Sequence, residues 1–364
     1  MATFVGQMPV IPKLRHPLKT PIVTEEAVWP QDDLPIGPSS VGVIAVGFSG
    51  GQGKQGVDMG PAAIIGCGLL EELNYGLGIR LHHDHKIHTY EDMVPEFEAD
   101  SRNMKRPLAV SIATQALAHQ VYEQARKNRC VLTLGGDHSI AIGTVAGVAR
   151  ATRERLGKDI AVIWVDAHAD INTPETSDSG NIHGMPLAML ASLAQTAPGT
   201  PFGWLQSKAH GGRTPVVDLK KLVYIGLRDV EEAEQQIIEQ YGIKAYTRVD
   251  VHKLGIERVL KDTLEYIGRD TPIHLSFDID ALDPELAPST GTPVPGGLTM
   301  HEALLIAQGV HRTRNMVGMD LVEINPLEEP GEDGLGAAQT IACGTEIVRH
   351  AFGAMSLRED EYKM

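Results

Sequence analysis

Short apolar runs recur along the chain, and each one ends abruptly in polar or glycine-rich sequence. They occupy residues 41–48, 130–134, 160–165, 221–227, 273–277 and 317–324, with a shorter one near Ala245 and Tyr246. The segment at 160–165 is a continuous apolar run rich in β-branched residues, and the others are mainly apolar with isolated polar or glycine residues. Such segments are typical of strands buried on both faces of a parallel sheet. They are too short to span a membrane.

Helical patterns alternate with these strands. They begin at Pro61 and cover residues 110–129, 233–241 and 300–308, and an apolar helix start follows residue 139. This alternation predicts an α/β fold, a single-domain three-layer sandwich with a central, mostly parallel sheet and helices on both faces. We expect one domain over residues 40–352, a Pro-rich extended arm over 1–39 and a charged tail over 353–364. Residues 191–215 read as a surface excursion.

Unusual polar residues stand where several strands end, and in open α/β sheets this edge binds ligands. Asp166, His168 and Asp170 follow residues 160–165, Asp278 and Asp280 follow 273–277, and His138 follows 130–134. If the strands continue through them, the period of two places each set on one face.

Buried carboxylates must be paired, protonated or metal-bound, because bare buried charge is very costly. One divalent ion cannot use six such ligands and keep a position open for substrate, whereas two ions that share one or two aspartates can. The mixed oxygen and nitrogen donors suit an ion such as Mn²⁺, and a metal pair about 3.5–4 Å apart activates a shared water. The competing interpretation is a set of helix caps and turn aspartates.

Two further stretches suggest ligand binding but fit it poorly. The glycine-rich residues 49–56 lack the spacing of a phosphate-binding loop, so a tight turn into a helix is predicted. Residues 81–88 carry four histidines, but no carboxylates at strand-end spacing accompany them. A surface strand or turn with solvated histidines is predicted there.

Charge and cysteine content narrow the class of protein. The net charge of −15 argues against a general nucleic-acid binder. It is compatible with a small cationic substrate, and equally with solubility alone. Three scattered cysteines indicate a reducing compartment, and no apolar signal-peptide core is visible, so a cytoplasmic location is expected.

Five motifs resemble the signatures of the ureohydrolases, and specifically of the arginases: GGDHS, DAHADIN, SGNIHG, SFDIDALDP and GTPVPGGLT. The resemblance extends from about residue 41 to residue 351. It implies two Mn²⁺ per subunit, one held by His138, Asp166, Asp170 and Asp278 and the other by Asp166, His168, Asp278 and Asp280. A hydroxide bridging the ions would attack the guanidinium carbon of L-arginine and release L-ornithine and urea.

The same resemblance implies roles for residues around the metal pair. Glu323 would pair with the guanidinium, His183 would shuttle protons as an imidazole neutral near pH 7, and Asp280 would pass a proton to the leaving amine. Thr292 would lie near the guanidinium. Asn172, Ser179 and Asn181 would bind the α-carboxylate, and Glu231 and Glu234 the α-amino group. Glu231 replaces the aspartate of many arginases. Asp320 would either orient a ligand or be an ordinary strand-end residue.

Two other functions remain open. One is a ureohydrolase for agmatine, which lacks the α-carboxylate of arginine, or for guanidinobutyrate. The other is a catalytically silent relative that acts as a metal-bound regulatory partner, although none of the implied ligand, shuttle or guanidinium residues is missing. The resemblance also implies a homotrimer or homohexamer.

Overall fold

The sheet is the centre of the molecule. The computed structural model describes residues 40–194, 196–197, 199–207, 215–328 and 335–355. The strands of these residues are Ser40–Val46 (β1), Arg80–His82 (β2), Ile87–His88 (β3), Cys130–Leu134 (β4), Ala161–Val165 (β5), Leu222–Leu227 (β6), Lys244–Thr247 (β7), Ile273–Asp278 (β8) and Met316–Val322 (β9).

The strands pair in the order β2-β1-β4-β9-β8-β5-β6-β7, with the short β3 also beside β1. Every pairing between these strands is parallel. Because parallel strands point the same way, the carboxyl ends of the neighbouring central strands β4, β9, β8 and β5 meet at one edge. The predicted parallel sheet is confirmed. The ends of each predicted strand lie within two residues of the ends of an observed strand.

Helices cover both faces of the sheet. They are Gly60–Gly66 (α1), Leu69–Glu71 (α2), Pro107–Lys127 (α3), Ala141–Leu156 (α4), Pro186–Leu190 (α5), Glu232–Tyr241 (α6), Arg248–Leu254 (α7), Ile256–Ile267 (α8), Met300–Thr313 (α9) and Gly336–Ala351 (α10). Val259, Leu304 and Ile341 from α8, α9 and α10 share one apolar core. Val110 and Val145 from α3 and α4 belong to a second core. Two cores on either side of one sheet form the predicted three-layer sandwich.

Close packing between α3 and α4 fixes the helix that follows the first candidate ligand. A Cβ on Gly143 would lie 2.5 Å from the carbonyl oxygen of Thr114, and one on Gly147 would lie 2.7 Å from that of Ala118. Only glycine permits this approach. α4, which begins at Ala141 shortly after His138, is therefore held firmly against α3.

Three other expectations have different outcomes. Residues 81–88 contain the end of β2 and all of β3, and His82 and His85 are exposed as predicted. Both ring nitrogens of His83 are buried, so the prediction of solvated histidines is wrong for that residue. The prediction of a surface excursion over residues 191–215 is wrong in part, because Phe202 and Leu205 are buried in the second core. The arm at 1–39 and the tail residues 356–364 lie outside the described residues. None of the described helices is long and apolar enough to cross a membrane.

Candidate active site

His138 is held by contacts on several sides at the carboxyl edge of the sheet. It opens a short 3-10 turn after β4, which Asp137 caps by accepting a hydrogen bond from the Ser139 backbone N–H at 2.9 Å. The ring is fully buried and stacks on Trp164 with 3.9 Å between ring centroids. Its Nε2 lies 2.8 Å from the hydroxyl of Ser276. These contacts fix the direction in which the other ring nitrogen points.

Three carboxylates converge on that other nitrogen. Nδ1 of His138 lies 3.1 Å from Oδ2 of Asp166, 3.3 Å from Oδ2 of Asp170 and 3.1 Å from Oδ2 of Asp278. None of these oxygens lies where a hydrogen bond from Nδ1 would point, so the buried nitrogen has no hydrogen-bond partner. An unpartnered imidazole nitrogen among carboxylate oxygens is a donor set that fits a divalent cation.

A second group of donors shares Asp166 with the first. His168 Nδ1 lies 3.1 Å from Oδ2 of Asp280 and 3.4 Å from Oδ1 of Asp166. The ligand atoms of Asp166, His168 and Asp280 all lie within 4.8 Å of one another, as do those of His138, Asp166 and Asp170. The structure thus brings all six predicted ligands together.

The backbone reason for this convergence differs from the predicted one. β5 ends at Val165, and Asp170 has a left-handed backbone with φ of 50°, so Asp166, His168 and Asp170 do not continue a strand. Instead, Asp166 Oδ1 accepts a hydrogen bond from the His168 N–H at 2.7 Å. Asp278 Oδ1 likewise accepts one from the Asp280 N–H at 2.9 Å. Each strand-end aspartate folds the next residues into a tight turn.

Burial makes this cluster electrostatically costly. Burial and the nearby Asp166 carboxylate raise the pKa of Asp170 to about 6. Burial, Asp280 and Asp166 hold the pKa of Asp278 well above its usual range. Burial also opposes ionisation of Asp166, but its contacts with the His138 and His168 rings outweigh this and lower its pKa. Divalent cations would stabilise the ionised carboxylates.

Glu323 connects this cluster to the predicted proton shuttle. It follows β9, is buried, and has a φ of 62°, an uncommon conformation for a residue other than glycine. Its Oε1 accepts a hydrogen bond from the His138 backbone N–H at 2.8 Å and lies 3.2 Å from Nδ1 of His183. Its Oε2 accepts a hydrogen bond from the side chain of Gln52 at 2.8 Å.

The protonation of His183 differs from the expectation of a neutral imidazole. Burial lowers the pKa of His183, but its contact with the Glu323 carboxylate outweighs burial and raises the pKa to about 9. At neutral pH the ring therefore holds a proton that it can donate.

The other predicted substrate residues occupy the loop after Asp170 and the region near Asp280. Asn172 is buried, and its Oδ1 accepts a hydrogen bond from Thr176 at 2.8 Å. The hydroxyl of the exposed Ser179 accepts one from the Asn181 N–H at 3.2 Å. The Thr292 hydroxyl donates to Oδ2 of Asp280 at 3.1 Å. Thr292 thus directly contacts a predicted metal ligand.

Glu231 and Glu234 form a capping box at the start of α6. The Glu234 carboxylate also accepts a hydrogen bond from the Ile171 N–H at 3.1 Å, which ties α6 to the residue after Asp170. Burial and the Asp170 charge raise the pKa of Glu234 to about 8. Both side chains serve the helix start here, and their contact with an α-amino group stays a prediction.

Asp320 does not contact any of the predicted ligands. Its Oδ2 accepts a hydrogen bond from Thr144 at 2.6 Å and lies 2.8 Å from Nε2 of His274. Of the two roles left open for it, the structure favours an ordinary residue of the sheet interior.

The sequence analysis missed three residues that support the site. Ser276 stands two residues before Asp278 and so shares its strand face, a signal that was present. Trp164 donates from Nε1 to Oδ2 of Asp166 at 2.9 Å, two residues away in sequence. Gln52 lies in the glycine-rich loop, whose Gly51 N–H donates to Asp137 at 2.8 Å. That loop is a wall of the site.

Known proteins match both the sequence and the fold. A sequence model of the arginase family matches residues 39–353. An arginase from Coccidioides immitis is 56% identical over 86% of this chain and 94% of its own. A solved arginase from Bacillus caldovelox has a TM-score of 0.75 and 35% identity, covering 87% of this chain and 99% of its own. An Entamoeba histolytica arginase solved with L-ornithine has a TM-score of 0.73 and 29% identity, covering 88% of this chain and 99% of its own. The chain belongs to the arginase family.

Proposed function

We propose that the protein is an arginase that hydrolyses L-arginine to L-ornithine and urea, with two Mn²⁺ per subunit. The observation that carries the proposal is one buried carboxylate, Asp166, shared by two groups of ligand atoms. Similarity to arginases over most of the chain supports the choice of substrate. Agmatine hydrolysis or a silent, metal-bound role would use the same metal ligands, so experiment must separate these functions.

The ligands divide into two sets around Asp166 and Asp278. We assign one ion to His138, Asp166, Asp170 and Asp278, and the other to Asp166, His168, Asp278 and Asp280. Ser276 holds the His138 ring from its far nitrogen, as partners of metal-binding histidines commonly do. Two metal ions held by these residues would lower the pKa of a water and so would supply hydroxide at neutral pH.

Glu323 is the proposed partner of the substrate guanidinium. A carboxylate matches the planar, always-protonated fork of a guanidinium group. The His138 N–H and the Gln52 amide hold its two oxygens, and this fixes the plane of the carboxylate. A guanidinium group bound to Glu323 would lie beside the proposed metal-binding residues and would not be surrounded by them.

His183 and Asp280 are the proposed proton carriers. His183 holds a proton at neutral pH and lies next to Glu323, where the guanidinium would bind. Breaking the C–N bond requires a proton at the departing nitrogen, and a positioned imidazolium is a suitable donor. Asp280 is buried beside Thr292 and is the second candidate for this transfer.

Substrate choice would rest on the loop after Asp170. Asn172, Ser179 and Asn181 carry amide and hydroxyl groups, which can donate hydrogen bonds to an α-carboxylate. Glu231 and Glu234 carry carboxyl groups, which can accept hydrogen bonds from an α-amino group. Agmatine has no carboxylate and would leave the first set unused.

Urea release by the purified, Mn²⁺-loaded protein tests the proposal. L-arginine, agmatine and a chelated sample run side by side. Release from arginine that the chelator abolishes is expected. Preference for agmatine would overturn the assignment of the loop, and no release from either by a two-metal protein would favour the silent relative.

We further propose that the protein is a cytoplasmic homotrimer or homohexamer. The family membership supports the oligomer. Light scattering on the purified protein measures the mass directly, and a monomer would refute this part of the proposal.

A further inference from the structure

A strained turn lies just before α3. Ser101 and Met104 exchange two backbone hydrogen bonds of 3.0 Å each, and the residues between them, Arg102 and Asn103, have φ of 51° and 56°. This is the geometry of a type I′ turn, which requires a positive φ at both central positions. Asparagine tolerates that conformation, whereas arginine is strained in it. Contacts with the rest of the fold must therefore hold the turn in place.

The turn is anchored to the rest of the fold on its α3 side. Met104 is buried, and the Glu98 carboxylate accepts hydrogen bonds from the N–H groups of Leu108 and Ala109 at 2.5 and 2.8 Å. Glu98 thereby satisfies free donors in the first turn of the helix. The turn is fixed to a long helix that packs on the sheet.

From this anchored position, the turn binds the loop that follows Asp170. The Asn103 side-chain amide donates to the carbonyl oxygen of Ser177 at 2.6 Å and to that of Pro174 at 2.9 Å. The Lys105 N–H donates to the carbonyl oxygen of Gly180 at 2.9 Å. The Asn103 amide thus binds the loop at Pro174 and Ser177, and the backbone N–H of Lys105 binds it at Gly180.

These three points lie among the residues assigned to the α-carboxylate. Asn172 precedes Pro174 and is bonded to Thr176, and Ser179 and Asn181 flank Gly180. The Gly180 N–H also donates to the Ser177 hydroxyl at 3.0 Å, so a shift at Ser177 would be passed to both flanking residues.

We infer that Asn103 is a positioning residue that sets the selectivity of the site for substrates bearing an α-carboxylate. The inference rests on the proposed function and deepens it. Asn103 is exposed and acts through the loop. The metal ligands and Glu323 are held by separate contacts, so loss of the Asn103 amide should affect recognition of the carboxylate and spare the chemistry.

Asn103→Gly is the sharpest test, because glycine keeps the positive φ of the turn and removes only the amide. We expect the KM for L-arginine and the Ki of L-ornithine to rise about tenfold, the scale of one or two lost hydrogen bonds. The Ki of 1,4-diaminobutane, which is ornithine without its carboxylate, should stay unchanged, as should kcat and manganese content. Equal changes for both inhibitors, or no change for either, would overturn the inference.

Two further variants complete the design. Asn103→Asp keeps the size of the side chain but turns an acceptor toward two carbonyl oxygens, so the same selective loss should be at least as large. Arg102→Gly relieves strain in the same turn without touching the loop and should leave both inhibition constants unchanged. A wild-type protein that does not hydrolyse arginine would refute the proposed function. An active wild type with an unaltered Asn103→Gly variant would refute only this inference.

Discussion

Asp278 is the residue whose loss should most disturb the metal centre, because it is assigned to both ions. Its Oδ2 lies 3.1 Å from Nδ1 of His138. We predict that Asp278→Ala binds fewer than two Mn²⁺ per subunit and loses arginine hydrolysis. Metal analysis of the dialysed protein measures this, with the exposed Asp270→Ala as the matched control. Two ions retained at wild-type affinity would contradict the bridging role.

Substitution of His183 should impair the chemical step and leave metal binding unchanged. It contacts Glu323 rather than any assigned ligand, so its removal leaves both ligand sets complete. We predict that His183→Ala lowers kcat by about 10²–10⁴-fold, the usual contribution of a positioned proton donor, with manganese content unchanged. Steady-state kinetics and metal analysis on one preparation decide this. Wild-type turnover would exclude the shuttle role.

Gln52 should act through the orientation of Glu323. Its amide is the hydrogen-bond donor to Oε2, so without it the carboxylate can rotate away from the guanidinium. We predict that Gln52→Ala lowers kcat/KM for arginine about tenfold, since a hydrogen bond to a charged group is worth about 1.5–3 kcal/mol and solvent replaces part of it. Gln55→Ala in the same loop is the control. Equal effects of the two variants would indicate a general disturbance of the loop.

At the scale of residues, the sequence located the six proposed ligands because each one follows the end of a predicted strand. Gln52 could not be found in the same way. It meets Glu323 across 271 positions of sequence, and only the folded sheet brings the end of β1 near the end of β9. The raised pKa of His183 was missed for the same reason, since it depends on the neighbouring Glu323 carboxylate.

At the scale of elements, the turns after the strands decide where the ligands lie. The glycine-rich connection between β4 and His138 passes directly against the loop after β1. A Cβ on Gly136 would lie 1.9 Å from the carbonyl oxygen of Phe48, and the Asp137 N–H donates to that same oxygen at 2.9 Å. The backbone at Gly136 touches the backbone at Phe48, so a shift of either segment would move His138.

Gly136→Ala should therefore damage stability and metal binding together. We predict a free energy of unfolding lower by about 1–3 kcal/mol, the usual cost of overpacking, and weaker Mn²⁺ affinity. Urea unfolding and a manganese titration measure the two effects. Gly66→Ala, where a Cβ meets nothing within 4 Å, is the control. A normal manganese affinity in Gly136→Ala would show that the turn can adjust without moving His138.

The strands were easier to predict than the helices or the turns. β4 is a short apolar run interrupted by Thr133 and followed by a glycine pair, and its predicted bounds equal the observed ones. α10 was missed because its buried face uses Gly336, Gly344 and other small residues, which blur the helical period. The turns at Asp166 and Asp278 depend on side-chain hydrogen bonds to the backbone, which hydrophobic periodicity does not register.

At the scale of the whole molecule, strand order assembles the site. β9 lies between β4 and β8, and β8 lies between β9 and β5. Parts of the chain as distant as His138 and Asp278 therefore end at neighbouring points of one edge. The alternation of strands and helices predicts a parallel sheet, but many strand orders satisfy it, so the sequence could suggest a shared edge without specifying the neighbours.

The same assembly would make bound metal ions part of the stability of the fold, since the proposed ligands come together only where the four central strands are in place. We predict that chelation lowers the thermal midpoint and that Mn²⁺ restores it. Ions that bind only the folded state add about 2.7 kcal/mol when their free concentration is about 100 times Kd. Calorimetry with and without chelator measures the shift, and Asp278→Ala should show a smaller one.

The stabilisation by Mn²⁺ should also depend on pH. The buried carboxylates determine whether it increases or decreases as the pH falls. Asp170 must be ionised to bind a cation, and its pKa is raised to about 6, so protons compete with Mn²⁺ as the pH falls through that value. The manganese-dependent shift should therefore be full near pH 8 and decline below pH of about 6. Stabilisation by Mn²⁺ that is equal at pH 8 and pH 5 would place the ions elsewhere than among these aspartates.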